Sequence, residues 1–258
     1  MSHRSLAFVY GFAFLLPTIL ASQTMELKSG DSRVHGERLQ PFTNQWKMKV
    51  VRPDGTVLED AGTWTDQLES VSISGRPCWK RTQFATFKRK TGEIAATTRT
   101  VNVFDARTLT PISREFERHM AGGDDSELRI IFHGNSIKIE NVEKGKTGVR
   151  EVPTTEAFDF YGGVYALLWV TLPLQQDFAA TFPSYTEDEH PEIVQQVTYK
   201  ITGRERMEAG SSGKKDTWIV ESDTSIGYLK YWISEGPPYI IRMDYKDKTG
   251  AMWTLTMT

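Results

Sequence analysis

The sequence contains one stretch whose residue types could bind a metal ion, and it reads Glu187-Asp188-Glu189-His190-Pro191-Glu192. Carboxylate oxygens and an imidazole nitrogen are ligands for calcium, zinc and related ions. Consecutive side chains point in different directions, however, and an acidic run beside a proline is more often a solvated loop. The pattern favours the solvated loop, with a metal site at His190 as the alternative.

The remaining motifs for catalysis are incomplete. The single cysteine, Cys78, precedes a tryptophan, but its other neighbours match no motif of cysteine nucleophiles, and a lone strand cysteine is usually a small core residue. The stretch Gly210-Ser-Ser-Gly213 lacks the spacing of a nucleophile elbow. Gly145-Lys146-Thr147 resembles the end of a phosphate-binding loop, yet Glu140 stands where the leading glycine belongs. These observations predict a non-catalytic protein with no cofactor and no metal site, and an enzyme with an unrecognised site is the alternative.

The charge pattern argues against nucleic acid as a partner. The 258 residues carry a formal net charge of -2, and lysines and arginines alternate with acids along most of the expected strands. Nucleic-acid binding needs basic residues gathered on one face, often with interleaved aromatics. We therefore expect a protein that binds no nucleic acid.

The N-terminus has the layout of a secretory signal peptide. Arg4 gives a positive start, Leu6 to Leu16 is an apolar run shorter than a membrane-spanning helix, and small residues follow at Ala21 and Ser22. No cysteine follows the run to accept a lipid. We expect residues 1–21 to be removed, leaving a periplasmic or secreted bacterial protein with no transmembrane span, and an uncleaved N-terminal anchor is the alternative.

The elements after the signal read as antiparallel strands. Residues 22–44 have no clear period and are expected to be an irregular leader, whereas residues 45–258 form one β domain. Trp46, Met48 and Val50 alternate with lysines, and Gly134-Asn135 separates two alternating runs as a two-residue hairpin turn does. Such alternation is typical of a sheet with one buried face, and many strands hide their edges by curling.

One segment breaks the alternation and indicates a helix. Ala166 to Trp169 is a block of apolar residues, with Asp159 as a plausible N-terminal cap and Pro173 as the residue that ends the helix. A helix that is apolar nearly all round must be buried. The fold class expected is mainly β: a single strongly curved antiparallel sheet, a half-barrel or barrel, with one short central helix covering its concave face.

The last third of the chain combines Tyr231-Trp-Ile233, a Gly-Pro-Pro break, a strand at 239–243 and Lys248-Thr-Gly250 before a final strand. This arrangement resembles the closing strands of exported bacterial half-barrels, the group of the periplasmic lipoprotein carriers. The segment 158–173, with Leu172-Pro-Leu174, resembles an uncharacterised family of exported β-rich proteins. The resemblance covers roughly residues 95–257 and implies a curved sheet with a helix on its concave face, which holds acyl chains in the carriers.

Four aromatic residues are the candidates for lining a ligand site on that concave face: Tyr161, Trp169, Trp232 and Tyr239. Packing of the same residues into a solid core is the alternative, because both interpretations place these residues on the same face of the sheet. The expected function is an exported non-catalytic envelope protein whose partner is an apolar small molecule or lipid. A structural or protein-interaction scaffold with a filled core is the alternative.

Overall fold

The structure is a computed structural model that describes residues 24–143, 145–153, 158–159, 165–185, 194–224 and 227–258. The expected signal peptide, Tyr161 and the acidic stretch around His190 lie outside these residues. The predictions made for them therefore stay predictions.

Strands dominate the described part of the chain, which contains sixteen of them. Their bounds are β1 (Met25–Glu26), β2 (Phe42–Val51), β3 (Val57–Ile73), β4 (Arg76–Lys88), β5 (Ile94–Asp105), β6 (Pro111–Met120), β7 (Ser126–His133), β8 (Ser136–Glu143), β9 (Lys146–Pro153), β10 (Phe158–Asp159), β11 (Ala179–Tyr185), β12 (Val194–Glu208), β13 (Lys214–Thr224), β14 (Gly227–Ile233), β15 (Ile240–Asp247) and β16 (Met252–Met257). The helices are α1 (Tyr165–Val170) and two 3-10 turns, Gly36–Arg38 and Gly210–Ser212.

All the strands belong to one curled sheet that does not close. Its order is β1-β11-β12-β13-β14-β15-β16-β2-β3-β4-β5-β6-β7-β8-β9, with β10 also beside β11. Two antiparallel meanders, β2 to β9 and β11 to β16, are joined where β16 pairs with β2. Only the short strands β1 and β10 run parallel to a neighbour among the described pairs. The predicted fold class is confirmed.

The alternation read from the sequence decides which face is buried. Along β2 every second residue from Phe42 to Val50 is buried, and Trp46 and Met48 lie on this inner face. The two-residue turn at Gly134-Asn135 joins β7 to β8, as predicted. The curled sheet therefore gathers the apolar side chains of both meanders on its concave side.

Helix α1 covers part of that concave side. It packs against β14, and Ala166, Leu167, Leu168 and Trp169 are each at most 2% exposed. The short apolar helix has no polar face to turn to solvent, so it is buried in the core.

The segment preceding residue 45 contributes to the core, although it was expected to be an irregular leader. Leu27, Val34 and Leu39 are buried, and β1 adds to the edge of β11. Strand β2 begins at Phe42, three residues before the expected domain start. The apolar residues of this segment are too far apart to show a period, which is why the sequence did not reveal their burial.

Candidate ligand cavity

A cavity of about 770 Å³ lies on the concave side of the sheet, beyond the region that α1 fills. One wall comes from β2 and from β14 to β16, and the opposite wall comes from β4 to β9, with Trp64 of β3 between the two walls. Ligand pockets for small molecules usually measure about 300–1,000 Å³. The volume of this cavity lies within that range.

The first wall is apolar because two cross-strand rows of side chains meet there. In one row, Met48, Leu255, Met243 and Tyr231 are successive partners on β2, β16, β15 and β14. In the second row, Trp253 pairs with Tyr245, which pairs with Leu229. Side chains opposite each other on neighbouring strands stand about 5 Å apart, so each row forms a continuous surface.

The opposite wall is mixed and includes polar groups deep in the fold. Gln83 on β4 pairs with Thr100 on β5, and both line the cavity beside Thr98. Gln83 is 7% exposed, and its amide forms no hydrogen bond to another described residue. Its amide borders the cavity and is therefore available to a polar atom of a molecule in that space.

The charged lining residues divide into a buried one and an exposed group. Arg114 is 3% exposed, lies 5.9 Å from the centre of the Phe116 ring and makes further contacts of its own. The exposed ones, Arg118, Glu127, Glu143 and Arg150, all belong to β6–β9. The cavity therefore opens to solvent along β6–β9.

Asp247 also lines the cavity, but its carboxylate is held by its own turn. It accepts hydrogen bonds from the backbone N–H groups of Thr249 and Ala251 and from Nε1 of Trp253, at 2.9, 3.1 and 3.1 Å. Burial raises the pKa of this carboxyl, yet the hydrogen bonds outweigh burial and leave the pKa below its ordinary value. Asp247 is thus ionised, and its hydrogen bonds stabilise the turn.

A buried ion pair lies beside the cavity. Arg81 donates to Asp66 through Nε at 2.8 Å and Nη2 at 2.5 Å, and the two side chains are 4% and 0% exposed. A second space of about 60 Å³ separates this pair from Ala166 of α1 and from Tyr231. Burial raises the pKa of Tyr231, so its phenol stays neutral. Asp66, Arg81 and Tyr231 together therefore carry no net charge.

Residues 45–257 match the model of a protein family that is described as a protein of unknown function, DUF3108. The chain belongs to this family. The predicted resemblance to an uncharacterised β-rich family is thereby confirmed. A search of curated proteins gave no significant match for this DUF3108 protein.

A solved structure supports the fold of the DUF3108 protein. It is described as a β-barrel-like protein of a domain of unknown function, DUF1849, from Brucella abortus. The TM-score is 0.53 at 10% sequence identity, and the match covers 86% of this chain and 99% of that chain. Identity this low shows a shared fold alone.

Three of the four aromatic candidates are described, and none of them borders the large cavity of the DUF3108 protein. Trp169 is fully buried in the core, with its ring centre 6.0 Å from that of Phe178 and 5.6 Å from that of Tyr199. Tyr239 is 1% exposed, and its hydroxyl accepts a 2.8 Å hydrogen bond from the backbone N–H of Gln40. Trp169 therefore packs in the core, and Tyr239 stabilises the fold through its hydrogen bond to Gln40.

Trp232 lies on the opposite, convex face of β14. The guanidinium carbon of Arg242 stands 4.6 Å from the centre of its ring, and Nε1 donates a 2.7 Å hydrogen bond to Glu205. Long charged side chains thus cover it, which explains how a tryptophan is buried on the outside of a sheet. Its neighbour Tyr231 points inward and lines the cavity.

Cys78 is a buried free thiol. Burial raises its pKa above the ordinary value, with Arg76 acting in the opposite direction. A thiol whose pKa is raised is mostly protonated at neutral pH, unlike an activated nucleophile. Among the described residues, no three His, Cys, Asp or Glu side chains are grouped so that they could hold a metal ion, and no helix is long and apolar enough to span a membrane.

Sequence reasoning missed the polar wall, although β4 carried a signal for it. A simple hydrophobic pattern would place Phe84 inside and Gln83 outside, yet Phe84 is 45% exposed and Gln83 is buried. Ala85 and Phe87 lie on the same face of β4 as Gln83 and must face the core, so Gln83 points inward and Phe84 points outward. A polar residue at a position that the alternation assigns to the buried face of a strand could have indicated the site.

Proposed function

We propose that this DUF3108 protein is an exported, non-catalytic binding protein that holds an apolar, lipid-like molecule on its concave face. The observation that carries the proposal is the cavity of about 770 Å³ with one continuous apolar wall. The core around α1 is closely packed by comparison, since Ala166 to Trp169 are each at most 2% exposed. Protein interiors are close-packed, so a space of this size in a core of this kind has a use.

Two sequence features support the cellular part of the proposal. The N-terminal segment has the n-region, apolar run and small residues of a signal peptide. The C-terminal strands resemble those of bacterial periplasmic carriers, whose concave face holds acyl chains. Both agree with a protein that handles an apolar molecule in the bacterial envelope.

The test is binding of a neutral apolar probe, N-phenyl-1-naphthylamine, whose fluorescence rises in an apolar site. We expect Ala96→Trp to weaken its binding by about tenfold or more, because Ala96 lines the cavity and an indole there would occupy the space. Thr97→Trp is the matched control, since Thr97 is adjacent on β5 and alternate residues of a strand face opposite sides. The control should bind as the original protein does.

Folding of each variant is checked by circular dichroism, with Ala96→Leu as the milder replacement if the tryptophan is not tolerated. A folded Ala96 variant that binds the probe with unchanged affinity would exclude the cavity as the site. If the original protein binds no probe at all, the binding proposal is wrong, and the scaffold function is then the better account of the fold.

A further inference from the structure

The polar pair on the inner wall indicates which kind of apolar molecule the cavity takes. Gln83 and Thr100 are direct cross-strand partners and point into the cavity from β4 and β5. Gln83 is more than nine-tenths buried and has no hydrogen-bond partner among the described residues. An apolar ligand would leave this amide unsatisfied, at a free-energy cost that a leucine at the same position would avoid.

The two side chains offer a matched set of donors. A glutamine amide has two N–H donors and a threonine hydroxyl has one O–H donor, while a carbonyl oxygen accepts two hydrogen bonds. Side chains directly opposite on neighbouring strands are about 5 Å apart, which lets both donate to one oxygen atom between them. The apolar row from Met48 to Tyr231 lies across the cavity and would contact a hydrocarbon chain.

The charges near the pair favour a neutral ligand. Arg81 is engaged by Asp66 in a bidentate ion pair, and Arg114 stands beside Phe116 and makes further contacts, although its Nε has no hydrogen-bond partner among the described residues. The charged residues that line the cavity balance one another, since three arginines face three acids: Arg114, Arg118 and Arg150, and Glu127, Glu143 and Asp247. An anion would therefore meet no net positive charge in the cavity, and an unmatched charge is costly to bury. A carboxylate at Gln83 would therefore be disfavoured relative to an ester or amide.

We infer that the ligand is a neutral acyl lipid whose ester or amide carbonyl oxygen accepts hydrogen bonds from Gln83 and Thr100, with its acyl chain on the apolar wall. This inference rests on the proposed function and adds the chemical class of the ligand. It also explains the inverted pattern of β4, where a glutamine occupies the inward phase and Phe84 the outward one.

The experiment compares four probes with the same ten-carbon acyl or alkyl chain: methyl decanoate, decanoate, decyltrimethylammonium and decane. Each is delivered from cyclodextrin and competes with N-phenyl-1-naphthylamine at about pH 8, where a carboxyl of ordinary pKa is ionised. We expect methyl decanoate to bind more tightly than either charged probe. Gln83→Leu should weaken methyl decanoate about five- to tenfold, the size of one lost hydrogen bond, without weakening decane.

Matched variants separate the two donors from general effects on the fold. Thr100→Val, which keeps the shape of the side chain, should weaken methyl decanoate in the same direction, and it serves alone if Gln83→Leu does not fold. Gln67→Leu on β3 and Thr97→Val on β5 are the controls, because both positions are on the outer face. Neither control should change the affinity for any probe.

The outcomes distinguish this inference from the proposed function. Failure of both decane and methyl decanoate to bind the original protein would overturn both. If decane and methyl decanoate bind, and Gln83→Leu alters both equally or neither, the cavity still binds an apolar molecule but the carbonyl contact is wrong. Tighter binding of decanoate than of its methyl ester would identify an anionic ligand and would also overturn the inference.

Discussion

Two ion pairs of similar length differ in their surroundings, and this difference decides what each contributes to stability. The pair Asp66–Arg81 is at most 4% exposed at 2.5 Å, whereas Lys49–Glu59 is 42% and 74% exposed at 2.8 Å. Exposed pairs contribute about 0–1 kcal/mol, whereas removal of one partner from a buried pair leaves an uncompensated charge. Removal of one partner from the buried pair is therefore expected to cost far more stability than removal of one partner from the exposed pair.

We expect Asp66→Ala to lower the free energy of unfolding by about 3–5 kcal/mol, because Arg81 would remain buried without its counter-charge. Glu59→Ala, which breaks the exposed pair, should cost less than about 1 kcal/mol. The measurement is urea unfolding followed by circular dichroism. The double variant Asp66→Leu with Arg81→Met should be less destabilised than Asp66→Ala; equal or greater destabilisation would contradict this account.

At the scale of elements, helix α1 and the strands beneath it form the filled half of the interior. Trp169 contacts Phe178 and Tyr199, and Tyr199 stacks in turn on Phe182, with ring centres 5.6 Å apart and an interplanar angle of 5°. Trp169 has no exposed surface. This aromatic cluster fixes the helix to the sheet.

Truncation of Trp169 tests that cluster. Trp169→Ala should lower the free energy of unfolding by about 3–5 kcal/mol, because it opens a cavity that rigid neighbours cannot fill. Phe84→Ala removes an aromatic ring that is 45% exposed and should cost much less. Both are measured by chemical unfolding, and equal losses in the two variants would mean that the helix is not anchored through Trp169.

The sequence predicted the elements better than it predicted the site. Strict alternation along β2 and the Gly134-Asn135 turn correctly predicted strands and a hairpin. At Tyr231, Trp232 and Ile233 alternation is lost because all three are buried. Side chains such as Arg242 cover the outer face there, so hydrophobicity alone could not show which residues face inward.

The pairing of β16 with β2 was equally hidden from the sequence. Each strand is amphipathic by itself, and nothing local in either strand specifies a partner some 200 residues away. The cavity depends on this pairing, because Met48 and Leu255 become neighbours only through it. The site could not be assembled from local patterns, since its apolar wall combines β2 of the first meander with β14 to β16 of the second.

For the molecule as a whole, export is the expectation that residues 1–21 support. We expect the mature protein in its own host to begin at Ser22 or Gln23, because small residues suited to cleavage follow the apolar run. N-terminal sequencing or intact-mass analysis of protein released by osmotic shock measures this. Membrane-bound protein that retains Met1 would show an uncleaved anchor instead.

The joint between β16 and β2 has a consequence for how the chain matures. A ribosome makes β2 long before β16, and the backbone N–H of Thr258 reaches the carbonyl oxygen of Gln45 at 3.0 Å only in the finished sheet. Until then, one edge of the first meander is an open row of hydrogen-bonding groups that other chains can join. Contacts so distant in sequence also form slowly. A newly made chain should therefore depend on holding chaperones until its last strand emerges.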